Sequence, residues 1–207
     1  MINKISNRYS VWYRIRLGYL YVLTKIKYPK QRIIRRPFVL RGGKMIAWGG
    51  DLTTGVGCRI EAFIADGDKG NKIFLGNRIQ LNDYVHISAM KSVTIGNDVL
   101  VASHVYISDN SHGSYKGDNN DASPYERPVK RPYYASPVKI GNRVWLGEGV
   151  IVLPGVTIGD GAVIGAHSIV NKDIPANCIA VGSPAKVVKQ WDDVLQRWEK
   201  IELSPLG

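Results

Sequence analysis

The chain has 207 residues, a formal net charge of +11, 44% hydrophobic residues and two cysteines. That length and composition predict one soluble domain with terminal extensions. Cys58 and Cys178 are too few and too far apart for a disulfide framework or a zinc motif, and a reducing cytoplasm fits. Charges interrupt the N-terminal apolar stretch, so neither a cleavable leader nor a membrane-spanning segment is expected.

The first predicted element is a basic amphipathic helix within residues 1–30, ended before Pro29. The first 50 residues hold twelve Lys or Arg and no Asp or Glu, and Val11, Trp12, Ile15, Tyr19, Leu20, Val22, Leu23 and Ile26 interleave with Arg8, Arg14, Arg16, Lys25 and Lys27. Such a helix either lies on an anionic membrane surface, through residues 1–28, or packs on the domain or a second subunit. The basic stretch joins no helix-turn-helix, zinc or RNA-binding motif, so no nucleic-acid partner is expected.

From residue 31 the dominant signal is an apolar residue at every sixth position. It begins as Ile34, Leu40, Ile46, Leu52, Cys58 and Ile64, and resumes as Leu75, Leu81 and Ile87, then Ile95, Val101 and Ile107. The most regular run is Ile140, Leu146, Val152, Ile158, Ile164 and Val170, with a second column two residues earlier at Val138, Val144, Val150 and Val156. Glycine follows in phase at Gly141, Gly147, Gly159 and Gly165. Period six is neither the 3.6 of a helix nor the 2 of one long strand. It predicts a chain that turns a corner every six residues, three sides making a coil of about 18 residues in an all-β solenoid. Phase breaks near 66–71, 88–91 and 108–137 must leave the coil as loops. The solenoid is expected over residues 31–186, with an excursion loop at 108–137. In the tail, 187–207, Val188, Trp191, Val194, Leu195 and Trp198 have helical spacing and predict a short helix capping the last coil.

The stretch Ser136–Lys189, with its IGNRVWLG, PGVTIGDGAVIGAHS, KDIP and GSPAKVVK segments, resembles the hexapeptide acyltransferases of the galactoside, maltose and nodulation acetyltransferase group. With NDYVHI and ISDNSHG added, it is more similar to bacterial O-antigen and capsule O-acetyltransferases. The resemblance implies a left-handed parallel β-helix, a homotrimer with active sites between subunits, acetyl-CoA as donor, no metal, and a sugar acceptor that is free, nucleotide-linked or lipid-linked.

Acetyl transfer to a hydroxyl needs a base for the hydroxyl proton, and histidine is the side chain that titrates near neutrality. Of His86, His104, His112 and His167, His112 in the SDNSHG segment matches the catalytic histidine of the resembled group. Asp109 either holds the imidazole tautomer or closes an Asx turn. Asn82 matches the acceptor-positioning asparagine, and the adjacent Asp83 contacts sugar hydroxyls or serves the turn. Tyr134, with Tyr115, Tyr125 and Tyr133, suits a carbohydrate platform or a subunit contact. By the same resemblance Gly147 and Ala166 line the pantetheine channel, Trp145 stands beside it, and Lys172, Lys186 and Lys189 meet the nucleotide phosphates. Glu148, where the simpler group has smaller residues, contacts the donor arm or steadies the histidine.

The resemblance implies an O-acetyltransferase of surface-polysaccharide biosynthesis. One alternative is an N-acetyltransferase of a nucleotide-linked amino sugar. Another is a carbonic-anhydrase-like metal enzyme or a scaffold, with His86, His104 and His112 as the candidate ligands.

Overall fold

A computed structural model describes residues 9–65 and 67–201. Residues 1–8, Asp66 and residues 202–207 lie outside the described residues, and with them the predicted start of the N-terminal segment, part of the 66–71 turn and the end of the tail.

Short strands recur in strict rotation among three sheets. The first sheet runs through Ile33–Ile34, Thr53–Thr54, Gln80–Leu81, Leu100–Val101, Trp145–Leu146, Val163–Ile164 and Cys178–Val181. The second takes Phe38–Arg41, Cys58–Ala62, His86–Ala89, Tyr106–Ser108, Ile151–Val152 and Ile169–Val170. The third takes Ile46–Trp48, Ile73–Leu75, Val93–Ile95, Val138–Ile140 and Thr157–Ile158. All pairings within this rotation are parallel, as when Leu146 sits beside Val101 on one side and Ile164 on the other. Each coil therefore satisfies its backbone through its neighbours. The inward side chains form one column: Ile73, Ile87, Ile107, Leu146, Val152 and Ile158 are fully buried.

The coils differ in length, and the surplus marks the loops. Trp145 pairs with Val163, 18 residues on, the bare repeat. Leu100 pairs with Trp145, 45 residues on, because the excursion loop intervenes.

One expected register is wrong. Thr54, not Leu52, lies opposite Ile34, and Ile60, not Cys58, lies opposite Leu40. The chain gains two residues at the corner that holds a 3-10 turn, Gly43–Met45. Ile46, Leu52 and Cys58 thus belong to the earlier of the two apolar columns, while Ile64 is 57% exposed and belongs to neither. A slip of two keeps side chains on the same face of a strand, so the beat of six continues through it unbroken.

The corner between the third and first sheets explains the recurring Gly-Asn pair. Asn97 Oδ1 accepts the Asn77 N–H at 2.8 Å, and Asn142 Oδ1 accepts that of Asn97 at 2.9 Å. Asp160 Oδ1 then accepts the Asn142 N–H at 2.9 Å, closing a ladder of side chains that occupies corner amides. The preceding glycine permits the stacking: a Cβ on Gly96 would stand 2.6 Å from the Gly141 carbonyl oxygen. Gly96→Ala is expected to lower stability by about 2 kcal/mol in a denaturant titration. Gly18→Ala, in open space on the helix, should raise it by a few tenths to about 1 kcal/mol.

The N-terminal helix, α1, spans Val11–Lys27, with Ser10 Oγ accepting the Tyr13 N–H as its cap. Thr24 on its inner face donates to the Leu20 carbonyl and accepts from the Ile34 N–H, tying helix to first coil.

The predicted C-terminal helix is not formed. Lys186–Asp192 and Arg197–Lys200 make an antiparallel hairpin that extends the first sheet beyond Cys178–Val181. Trp191 faces Trp198 across it, rings edge-on at 5.4 Å, and Asp192 closes the turn through the Val194 and Leu195 amides. The spacing Trp191–Trp198 fits two helical turns and also one hairpin. The open edge of the last coil selects the hairpin because it needs backbone partners. Val194, expected on a packed helix face, is 90% exposed at the turn.

Candidate active site

The excursion loop leaves the second sheet after Ser108 and rejoins the third at Val138. Its root is fixed by Asp109, which is fully buried. The Asp109 carboxylate accepts the N–H groups of Met90 at 2.9 Å, Lys91 at 2.7 Å and Ser92 at 2.6 Å, all from the corner of the coil below. Asn110 Nδ2 donates to Ser88 Oγ at 3.2 Å and to Asp109. Of the two expected readings of Asp109, holder of the imidazole tautomer or Asx-turn residue, its hydrogen bonds favour a turn-anchoring one, made to the corner of the coil below. Its carboxylate points into the corner, because three convergent amides offer it more than one ring nitrogen at the surface could.

His112 stands where this root opens to solvent. Asn110–His112 pairs antiparallel with Tyr133–Ala135, placing His112 opposite Tyr133, ring centroids 4.5 Å apart. Tyr115 Oη donates to the His112 carbonyl at 2.6 Å, and Arg131 Nη1 donates to Tyr115 Oη at 2.8 Å. The backbone of His112 is thus held from both sides while its side chain is exposed. Tyr134, on the same hairpin, has Lys116 Nζ over its ring at 4.6 Å, and that ammonium, with Ser136, holds the phenol below its usual range. A groove of about 850 Å³ runs beneath, lined by Ile64, Lys72, Met90, Tyr133 and Tyr134.

The other candidate residues gather elsewhere. Asn82 and Asp83 sit at the corner between the first and second sheets. They face a groove of about 800 Å³ that Tyr13 of α1 and Tyr9, just before its cap, close, and that Arg32, Arg35 and Ser103 complete. Gln80 Nε2 donates to Asn82 Oδ1 at 3.1 Å, and Asp83 Oδ1 accepts the Val56 N–H from the corner of the preceding coil at 2.8 Å. Further along the same corner lie Gly147, Glu148 and Ala166. A Cβ on Gly147 would be 2.7 Å from the Ala166 nitrogen, so coil stacking alone requires glycine there. Glu148 is exposed and offers its carbonyl to the His167 N–H at 2.7 Å. Trp145 is half exposed on the outer face of the first sheet, between Leu100 and Val163.

The three lysines do not form one cluster. Lys186 and Lys189 lie on the C-terminal hairpin beside the first sheet, whereas Lys172 follows Val170 on the corner between the second and third sheets, the corner that carries His112. Within one chain, then, Asn82, Asp83, Gly147, Glu148 and Ala166 occupy one edge of the coil, and His112, Tyr134 and Lys172 another.

Two of the remaining histidines are engaged structurally. His86 Nε2 meets Glu61 Oε2 at 3.0 Å and its ring leans on Tyr106, and burial pushes its pKa down. His104 stacks on Tyr84 at 5.1 Å. Among the described residues no three His, Cys, Asp or Glu are grouped to hold a metal ion. Sequence reasoning did not find Tyr9 and Tyr13 at the Asn82 groove. Their spacing of four, which stacks the two rings at 4.6 Å across the start of α1, was the available signal.

Comparison with known proteins fits this geometry. Residues 137–172 match the family model described as bacterial transferase hexapeptide (six repeats). The chain is 45% identical over 200 residues to a protein of Escherichia coli (strain K12) provisionally named the lipopolysaccharide biosynthesis O-acetyl transferase WbbJ, covering 97% of this chain and 100% of that one. It resembles the structure of a galactoside acetyltransferase in complex with coenzyme A, with a TM-score of 0.52 at 26% identity over 94% of this chain and 88% of that one. It also shares the fold of AntD, an N-acyltransferase from Bacillus cereus in complex with dTDP and 3-hydroxybutyryl-CoA, with a TM-score of 0.65 at 18% identity over 92% and 93% of the two chains.

Proposed function

The chain belongs to the hexapeptide-repeat acetyltransferases, with acetyl-CoA as donor, and from that premise we propose that it O-acetylates a sugar in the biosynthesis of a surface polysaccharide such as lipopolysaccharide. The full-length similarity to WbbJ carries the choice of acceptor class. The exposed His112 on its braced hairpin supports the choice of base.

In this reading His112 accepts the proton of a sugar hydroxyl as its oxygen attacks the thioester carbonyl. The tetrahedral intermediate collapses, the carbon–sulfur bond breaks, and the imidazolium returns its proton to the leaving thiolate. No acyl-enzyme is formed. Asn82 orients the acceptor, Tyr134 borders it, and the Gly147–Ala166 edge beside Trp145 receives the pantetheine arm, with Glu148 next to it. Lys186 and Lys189 meet the nucleotide phosphates. The three-sided coil is taken as left-handed. The separation of His112 from Asn82 and Gly147 on different edges favours a homotrimer, in which the edge of one subunit faces the histidine of the next. Lys172 then serves the neighbouring site. The enzyme is placed in the cytoplasm, where acetyl-CoA is made.

Thiol release from acetyl-CoA over a panel of sugars and polysaccharide fragments, with mass spectrometry of the product, tests the reading. An acetyl ester on a sugar hydroxyl supports it, and acetylation confined to amino sugars replaces it with the N-acetyltransferase. The pH profile separates the two as well. With a hydroxyl acceptor kcat/KM levels off once the histidine is neutral, whereas with an amine it keeps rising as the amine loses its proton.

A further inference from the structure

α1 carries two apolar stripes. Tyr13, Leu17, Leu20 and Thr24 face the first coil, with Leu20 and Thr24 buried. A second stripe, Val11, Trp12, Ile15, Tyr19, Val22 and Ile26, is 56% to 80% exposed. The two are offset by two residues, about 200° around the helix, so the exposed stripe looks directly away from the domain. Arg14 and Arg16 bracket Ile15, and Lys25 and Lys27 bracket Ile26. Each lies about 100° to one side of the stripe; Arg14 on one border and Lys27 on the other flank it, while Arg16 turns back to the Arg36 carbonyl and Lys25 to those of Pro29 and Gln31. No described helix is long and apolar enough to cross a membrane.

From this geometry we propose that α1 is an in-plane docking surface for an anionic lipid bilayer. Aromatic and branched side chains enter the headgroup boundary, and the flanking cations meet lipid phosphates. Charge complementarity selects the bilayer over a second copy of the chain. The copy has a net charge of +11 and no acidic residue in its own first 50 positions. The opposite side of the same helix supplies Tyr13, on which Tyr9 stacks from just before the helix, to the groove that holds Asn82. Docking therefore sets that groove at the headgroup layer, where a sugar carried on a lipid can enter it. This last step rests on the acetyltransferase reading; the docking itself does not.

The test is co-sedimentation with phosphatidylcholine vesicles, with and without phosphatidylglycerol. The wild-type chain is compared with a Trp12→Gln, Ile15→Gln, Ile26→Gln variant, whose changes touch only exposed positions and keep good helix formers. The wild type should partition onto the anionic vesicles about tenfold more strongly or better, and less in high salt. The variant should lose about tenfold or more of that binding while melting at the wild-type temperature and acetylating a water-soluble acceptor at the wild-type rate. Equal binding by both proteins, or no preference for anionic lipid, overturns the proposal. So does a fall in the variant's mass by light scattering without vesicle binding by the wild type, because the stripe then belongs to a second copy. Vesicle binding as expected with no acetyl transfer to any acceptor leaves the docking surface standing and removes the acetyltransferase reading instead.

Discussion

Replacing His112 by alanine is expected to lower kcat for acetyl transfer by about a hundredfold or more while KM for acetyl-CoA stays close to the wild-type value. The split between the two constants follows from placement. In the proposed mechanism removing the ring takes away the proton acceptor, while Gly147 and Ala166, proposed to line the donor groove, keep their coil stacking on another edge of the chain. The hairpin should also survive, because Tyr115 holds His112 through its carbonyl and the strand pairing with Tyr133 is made by backbone. Steady-state kinetics with a saturating sugar acceptor measure the effect. A fall of only a few-fold would move the base to another group. A parallel loss of acetyl-CoA binding would mean that the histidine serves the donor.

Asp109→Ala should be the most damaging single change to stability near the site. The substitution strips three amides, those of Met90, Lys91 and Ser92, of their acceptor in a fully buried corner. The cost is about 3 kcal/mol or more, which for a chain of this size lowers Tm by roughly 6–12 °C. Asp109→Asn keeps one acceptor oxygen and should lose less. The pH profile distinguishes this anchoring role from the orienting role that the spacing to His112 suggested. An aspartate that held the imidazole would shift the apparent pKa of kcat/KM when replaced. An anchor for the loop root leaves that pKa where it was and changes the melting temperature. Calorimetry and the pH–rate profile of the same protein decide between them.

Several features are legible in the amino-acid sequence because they repeat. The six-residue beat from Val138 to Val170 reports a side chain that must point inward on every face of a coil, and nothing but the coil satisfies it. The Gly-Asn corners at 76–77, 96–97 and 141–142 repeat for the same reason, since each packs on a neighbour of like kind. The loop at 108–137 stands out as the place where the beat stops, and His112 as the histidine at its start. Features that depend on which of two partners wins are not legible. The two-residue slip at Gly43–Met45 is silent because strands have period two, so Cys58 and Ile60 look equally suited to the column. The Trp191–Trp198 spacing serves helix and hairpin alike, and only the unpaired edge of the last coil breaks the tie.

The pattern of residues alone thus specifies the repeating cross-section, the sites of the loops, the basic helix at the start and the family to which the motifs point. What each irregular residue does is settled by the folded chain. Folding turns the Asp109 carboxylate inward and leaves His112 outward, closes the tail as a hairpin, and sets Asn82 and His112 on different edges of the coil. The physical reason is that a local pattern specifies which face a side chain takes, while hydrogen bonding between segments far apart in the chain decides which polar group meets which. Those partners are chosen only when the coils are stacked.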